Sequence, residues 1–130
     1  MAAKVLIQGS VIRAGYGILA LLFPKLLFKS VGVRESDVDR EARYFNRLFG
    51  GRDLLVAGAT VAAARSGATS QATKANLVCE FTDTISLVEE ARARRRADRY
   101  LVIGLLFNVL GYATWLRALR APAAGPAAQS

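Results

Sequence analysis

Six ionisable side chains stand inside apolar runs of this 130-residue chain: Arg13, Arg47, Arg52, Asp53, Glu80 and Asp83. Carboxylates held away from water can relay protons or cations, and guanidinium groups beside them can hold those carboxylates ionised as fixed ion pairs. Three bases against three acids allow complete pairing. Left unpaired in hydrocarbon, six such groups at about 2.5 to 3.5 kcal/mol each would cost on the order of 18 kcal/mol, so the elements carrying them must bring opposite charges together. Helical spacing permits it. Gly9, Arg13, Tyr16, Gly17 and Ala20 share one face, as do Asn46, Gly50, Asp53, Ala57 and Thr60, and as do Asn76, Glu80, Asp83 and Leu87. We expect these charges to form a structural network. A proton or cation relay through Glu80 and Asp83, and a site for a polar ligand, are the competing uses.

Other chemistry is narrowed by what is missing. The chain has no histidine and a single cysteine, Cys79, which excludes disulfides, Cys/His zinc sites and His-dependent triads. Cys79 reads as a packing residue. The acids and glycines Asp37, Asp39, Gly50 and Asp53 lack the further aspartates, and the glycine after Asp39, that metal-dependent phosphoalcohol transfer needs. Gly15 and Gly17 lack the strand context of a dinucleotide site, and Gly50-Gly51 lacks the lysine of a phosphate loop. No catalytic residue, metal or cofactor is expected.

The elements that must position the charges are four long helices. Mean hydropathy is positive, +0.28, despite 22% charged residues, so apolar residues are concentrated in blocks. The first block, Val5 to Phe23, is long enough to cross about 30 Å of hydrocarbon and is ended by Pro24. It reads as a retained helix because Arg13 interrupts the core a secretory signal would need. Lys25 to Val33 suits a short segment in the headgroup region. Ser36 is the expected cap of the second helix, with Asp37 and Asp39 in its first turn, and Gly67 its expected stop. Ser70 is the expected cap of the third, least apolar helix, membrane-embedded over Ala72 to Val88 and emerging with a Glu90–Arg94 pair. Asp98 is the expected cap of the fourth, Tyr100 to Leu116, whose Tyr100, Tyr112 and Trp115 resemble an aromatic belt. Small and polar residues on these helices, Gly17, Gly50, Gly51, Gly58, Gly104, Asn108 and Gly111, are expected to permit close packing.

The expected fold is all-α: a four-transmembrane-helix antiparallel bundle over residues 1–120, with a buried Arg–carboxylate network and a disordered tail, 121–130. A soluble four-helix bundle is the alternative. Ten basic residues flank the membrane on the side of the first and third connections, and five on the other. The positive-inside rule then predicts both termini outside the cytoplasm, in a bacterial inner membrane. The cluster Arg92, Arg94, Arg95, Arg96 and Arg99 can contact anionic lipid headgroups. Without interleaved aromatic residues it does not suit nucleic acid, and no nucleic-acid partner is expected.

The run Arg47-Leu48-Phe49-Gly50-Gly51-Arg52-Asp53-Leu54-Leu55, followed by acids in the third helix, resembles small uncharacterised actinobacterial four-helix membrane proteins with a Gly-Xaa-Arg-Asp core. Size and plan are also similar to the small accessory subunit of mycobacterial lipid importers of the mammalian-cell-entry type. The resemblance implies the fold and, for the second group, a lipid-transporter partner. The expected function is a non-enzymatic accessory or stabilising subunit of a larger membrane complex. The alternatives are a small proton or cation carrier and an anionic-lipid-binding regulatory protein.

Overall fold

The computed structural model describes residues 1–94 and 99–121, and these are all-α: no strand occurs among them. Five helices follow in order: α1 (Ala2–Leu22), α2 (Pro24–Ser30), α3 (Arg40–Arg65), α4 (Thr69–Arg94) and α5 (Arg99–Arg120), with a 3₁₀ turn at Glu35–Asp37 before α3. The four long helices run about 31 to 39 Å at about 1.5 Å per residue.

The breaks between helices have local causes. Phe23 still donates its N–H to Leu19 O (2.9 Å), but Pro24 has no N–H to continue α1 and instead occupies the first turn of α2, where none is needed. α2 ends where Gly32 takes a positive φ of 82°, letting Gly32 and Val33 donate back to Lys29 O and Phe28 O, each at 3.0 Å. Gly67, with φ 83°, turns the chain after α3 as its sequence position suggests. Two expected caps are displaced. Asp39, not Ser36, caps α3, accepting from Ala42 N at 2.7 Å, while Ser36 donates to Asp37 Oδ1. α4 begins at Thr69 and already contains Ser70. The expected Asp98 cap, Arg95, Arg96 and the tail 122–130 lie outside the described residues, as does the Arg94 side chain and with it the Glu90–Arg94 pair.

The long helices form a ring, α1 beside α3, α3 beside α4, α4 beside α5 and α5 beside α1, with the α1–α3 contact the most extensive. Every neighbouring pair is antiparallel: Gly17 meets Gly50 and Leu54, Thr60 meets Asn76, Gly104 meets Leu87, and Gly9 meets Trp115. The glycines at the tightest crossing are required. A Cβ on Gly50 would lie 2.7 Å from Gly17 O and from Leu21 N, so only bare backbones approach this closely. Gly51 and Gly58 do not share that role. They face open space, with no atom near where their Cβ would be, because each lies off the buried stripe Gly50, Asp53, Ala57, Thr60, Ala64.

The interior is more polar, and the outside richer in large apolar side chains, than is usual for a water-soluble bundle. Nine apolar residues are buried, five of them alanine, alongside seven polar or charged ones, while twenty-seven large apolar side chains are exposed among the described residues. α1 and α5 are each long and apolar enough to cross a membrane. α3 and α4 are as long or longer, and their outward positions include Phe45, Leu48, Phe49 and Leu55 on one and Val78, Phe81, Ile85 and Val88 on the other.

Candidate functional site

At one end of the ring the interior is apolar, formed by Leu6, Ala64, Ala72, Trp115 and Ala118. One to two turns deeper it becomes polar, and the charges meet there.

Arg13 is the centre. It projects from α1 across the ring to α4, where Nη2 donates to Glu80 Oε1 at 2.5 Å and Nη1 to Asn76 Oδ1 at 2.6 Å. Its Nε lies 3.9 Å from Asp53 Oδ1 on α3, and its guanidinium stacks over the Trp115 ring, 5.4 Å from the centroid. Only 9% of the side chain is exposed, so each of these contacts acts in a poorly screened setting. Glu80 is matched on its other side by α5. Trp115 Nε1 donates to Oε1 at 2.9 Å, and Asn108 Nδ2 to the Glu80 carbonyl at 3.0 Å and to Oε2 at 3.3 Å. Gly111 makes room for the carboxylate, since a Cβ there would fall 2.5 Å from its Cδ.

Around this centre a neutral layer joins further pairs of helices. Asn76 Nδ2 donates to Thr60 Oγ1 (2.8 Å), tying α4 to α3, and Thr60 in turn donates to Val56 O. Thr84 Oγ1 stands 2.8 Å from both the Glu80 carbonyl oxygen and Asn108 Oδ1, with the Tyr112 hydroxyl 3.3 Å away. Ser10, one turn before Arg13, has a buried hydroxyl without a hydrogen-bond partner among the described residues.

Arg52 forms a second, wetter pair. Its Nη1 and Nη2 donate to Asp83 Oδ1 and Oδ2 at 2.8 and 3.1 Å, a two-pronged fit, while Nη2 and Nε reach Asp53 Oδ1 at 3.0 and 3.3 Å. Its guanidinium also covers the Phe49 ring at 5.2 Å. Asp53 thus lies between both arginines and links the two parts. The arginines and carboxylates alternate rather than converging on one point that a metal ion could share.

Five of the six expected network residues come together, and Arg47 does not. It is exposed and lines a groove between α1, α2 and α3, because six residues, about 240° of helix, separate it from Asp53 and turn it off the buried face. The interior balance is therefore two guanidinium groups against three carboxylates. Trp115 also departs from expectation. Its ring is buried inside the bundle as a donor to Glu80, whereas Tyr100 is exposed. Its position seven residues after Asn108, two turns along the same face, is the signal that marks it. Gly9, against which Trp115 packs, follows from the same pairing.

The expected lipid-contact cluster is only partly described. Arg92 is exposed and engaged by Glu89 Oε1 at 2.7 Å, and Arg99 folds over Gly32.

No protein-family model, curated protein or solved structure matches this chain. Geometry and chemistry alone bear on its function.

Proposed function

We propose that the chain is an integral membrane protein of four spans, α1, α3, α4 and α5, acting as a non-enzymatic accessory or stabilising subunit of a larger inner-membrane assembly such as a lipid transporter. One observation carries the membrane reading: among the described residues seven polar or charged side chains are buried beside nine apolar ones, five of them alanine, while twenty-seven large apolar side chains are exposed. In water that arrangement would expose far more apolar surface than monomeric proteins tolerate. In lipid it satisfies every element.

The modest mean hydropathy of α3 and α4 agrees with this reading once their two faces are separated. Asp53 and Glu80 are buried on their inward side, while Leu48, Phe49 and Leu55 of α3 and Val78, Phe81 and Ile85 of α4 are exposed; the exposed charges Glu41, Arg47, Arg65, Lys74 and Glu89 lie toward the helix ends. Averaging over both faces hides the lipid-facing one. The excess of bases around the α1–α3 and α4–α5 connections supports both termini lying outside the cytoplasm.

The accessory role rests on how the polar groups are used. Glu80, Asn76, Asn108 and Trp115 spend their hydrogen bonds on one another and on Arg13, which fixes helix register. What remains on offer is the apolar perimeter, broadest on α5 with Leu105, Leu106, Phe107, Val109 and Leu110. Extraction from native membranes in a mild detergent, followed by mass spectrometry, tests this. Co-purification with larger membrane subunits is expected, and recovery of the chain alone overturns it.

A second reading is favoured by the charge count. Three carboxylates against two guanidinium groups leave one negative charge that a proton or small cation can balance. A carrier working through Glu80 and Asp83 would give vesicles an ion flux abolished by Glu80→Gln. Silent vesicles count against it.

A further inference from the structure

Where α1 ends, the chain turns through Phe23 and Pro24 into α2, and the first two turns of α3 pass alongside. Between them lies an open groove of about 680 Å³. Three of its lining residues, Arg40, Arg43 and Arg47, recur at intervals of three and four and so share one face of α3. None of the three forms an ion pair among the described residues. Among the described side chains no acid lines the groove: Asp39 accepts from Ala42 N and Asp37 from Ser36. The opposite wall is apolar except for Lys25, with Leu22 and Phe23 exposed by 60% and 53%. A neighbouring cavity of about 380 Å³, lined by Lys29 and Arg34 among others, extends the positive rim.

Three guanidinium groups on one helix face repel one another unless an anion lies between them, and their planar forks match phosphate oxygens. The apolar wall continues down α1. Charge above and hydrocarbon below suit an amphiphile better than a soluble anion. We propose that this groove binds an anionic phospholipid, its phosphate held by Arg40, Arg43 and Arg47 and its acyl chains lying along Leu22 and Phe23. The proposal rests on the membrane reading above, which would put the groove at the headgroup level of the basic side.

Native mass spectrometry of the purified full-length protein, offered equal phosphatidylglycerol and phosphatidylcholine, tests it. The wild type is expected to retain phosphatidylglycerol selectively. The combined substitution Arg40→Gln, Arg43→Gln and Arg47→Gln is expected to weaken that retention on the order of a hundredfold, with unchanged Trp115 fluorescence showing that the bundle is intact. Arg92→Gln with Arg99→Gln is expected to leave retention as in the wild type. Undiminished phosphatidylglycerol retention in the triple variant overturns the site. Inorganic phosphate that raises the melting temperature as far as phosphatidylglycerol does overturns the lipid as its occupant. Failure of the underlying reading is seen separately, as a protein that stays in the aqueous phase without detergent.

Discussion

Replacing Arg13 by methionine keeps an unbranched apolar stem and removes the charge and donors. Glu80 would then keep only the neutral donors Trp115 and Asn108, Asn76 Oδ1 would lose its partner, and Asp53 would lose the cation 3.9 Å away. Charge-assisted bonds contribute about 1.5 to 3 kcal/mol each, and breaking a buried pair from one side costs about 3 to 5 kcal/mol. Chains unfolded within a membrane also find polar partners, which pulls the cost toward the lower end. A loss of about 3 kcal/mol follows, roughly 150-fold in the unfolding equilibrium. Glu80→Gln should cost less, because the amide oxygen still accepts from Trp115 and Arg13, and the double variant should fall short of the sum by about 1 kcal/mol or more. Detergent unfolding in mixed micelles reads all three, followed by circular dichroism and by the fluorescence of Trp115, the only tryptophan, whose ring lies beneath Arg13. An Arg13→Met variant as stable as the wild type, or strictly additive substitutions, would refute the pairing.

Further outcomes follow from the same geometry. Gly50→Ala should destabilise by about 1 to 3 kcal/mol by forcing α1 from α3, whereas Gly51→Ala and Gly58→Ala, facing open space, should be neutral or stabilising by up to about 1 kcal/mol; the same unfolding assay separates them. Asp83→Asn should cost only about 1 kcal/mol, since the Arg52–Asp83 pair is roughly a third exposed, and Arg47→Gln should stay within about 0.5 kcal/mol of the wild type. Trp115→Phe keeps the packing but removes the Nε1 donor to Glu80, so circular dichroism should register a loss of about 1 to 3 kcal/mol.

Much of this arrangement is legible in the residues themselves. Pro24 and Gly67 mark helix ends, and counting in threes and fours along three helices puts Arg13, Asp53, Glu80 and Asp83 on faces that can meet; that Arg13 takes Glu80 and Arg52 takes Asp83 is decided by the packing. Arg47 shows where charge counting misleads. Equal numbers of acids and bases suggested a closed set, yet helical phase relative to Asp53 excludes it. Trp115 was hidden by a rule of thumb about aromatic residues near span ends, although Asn108, Gly111 and Trp115 follow one stripe. The α3 cap moved from Ser36 to Asp39 because Ser36 is taken up in a 3₁₀ turn, a tertiary outcome with no marker in local composition. The groove was out of reach of any pattern, since it needs Leu22 and Phe23 beside residues some twenty positions later.

The proposed function requires that α3 and α4 stand in lipid over their middle turns, with Asp53 and Glu80 inward and Leu55 and Phe81 outward. Single cysteines introduced by Leu55→Cys and Phe81→Cys, in a Cys79→Ala background, probe the outward faces directly, because both positions are apolar and well exposed. With membrane-impermeant maleimide on intact membranes, both should stay unlabelled until the membrane is dissolved, while Ser36→Cys and Gly67→Cys should label from opposite sides. Rapid labelling of Leu55→Cys and Phe81→Cys in intact membranes would contradict the account.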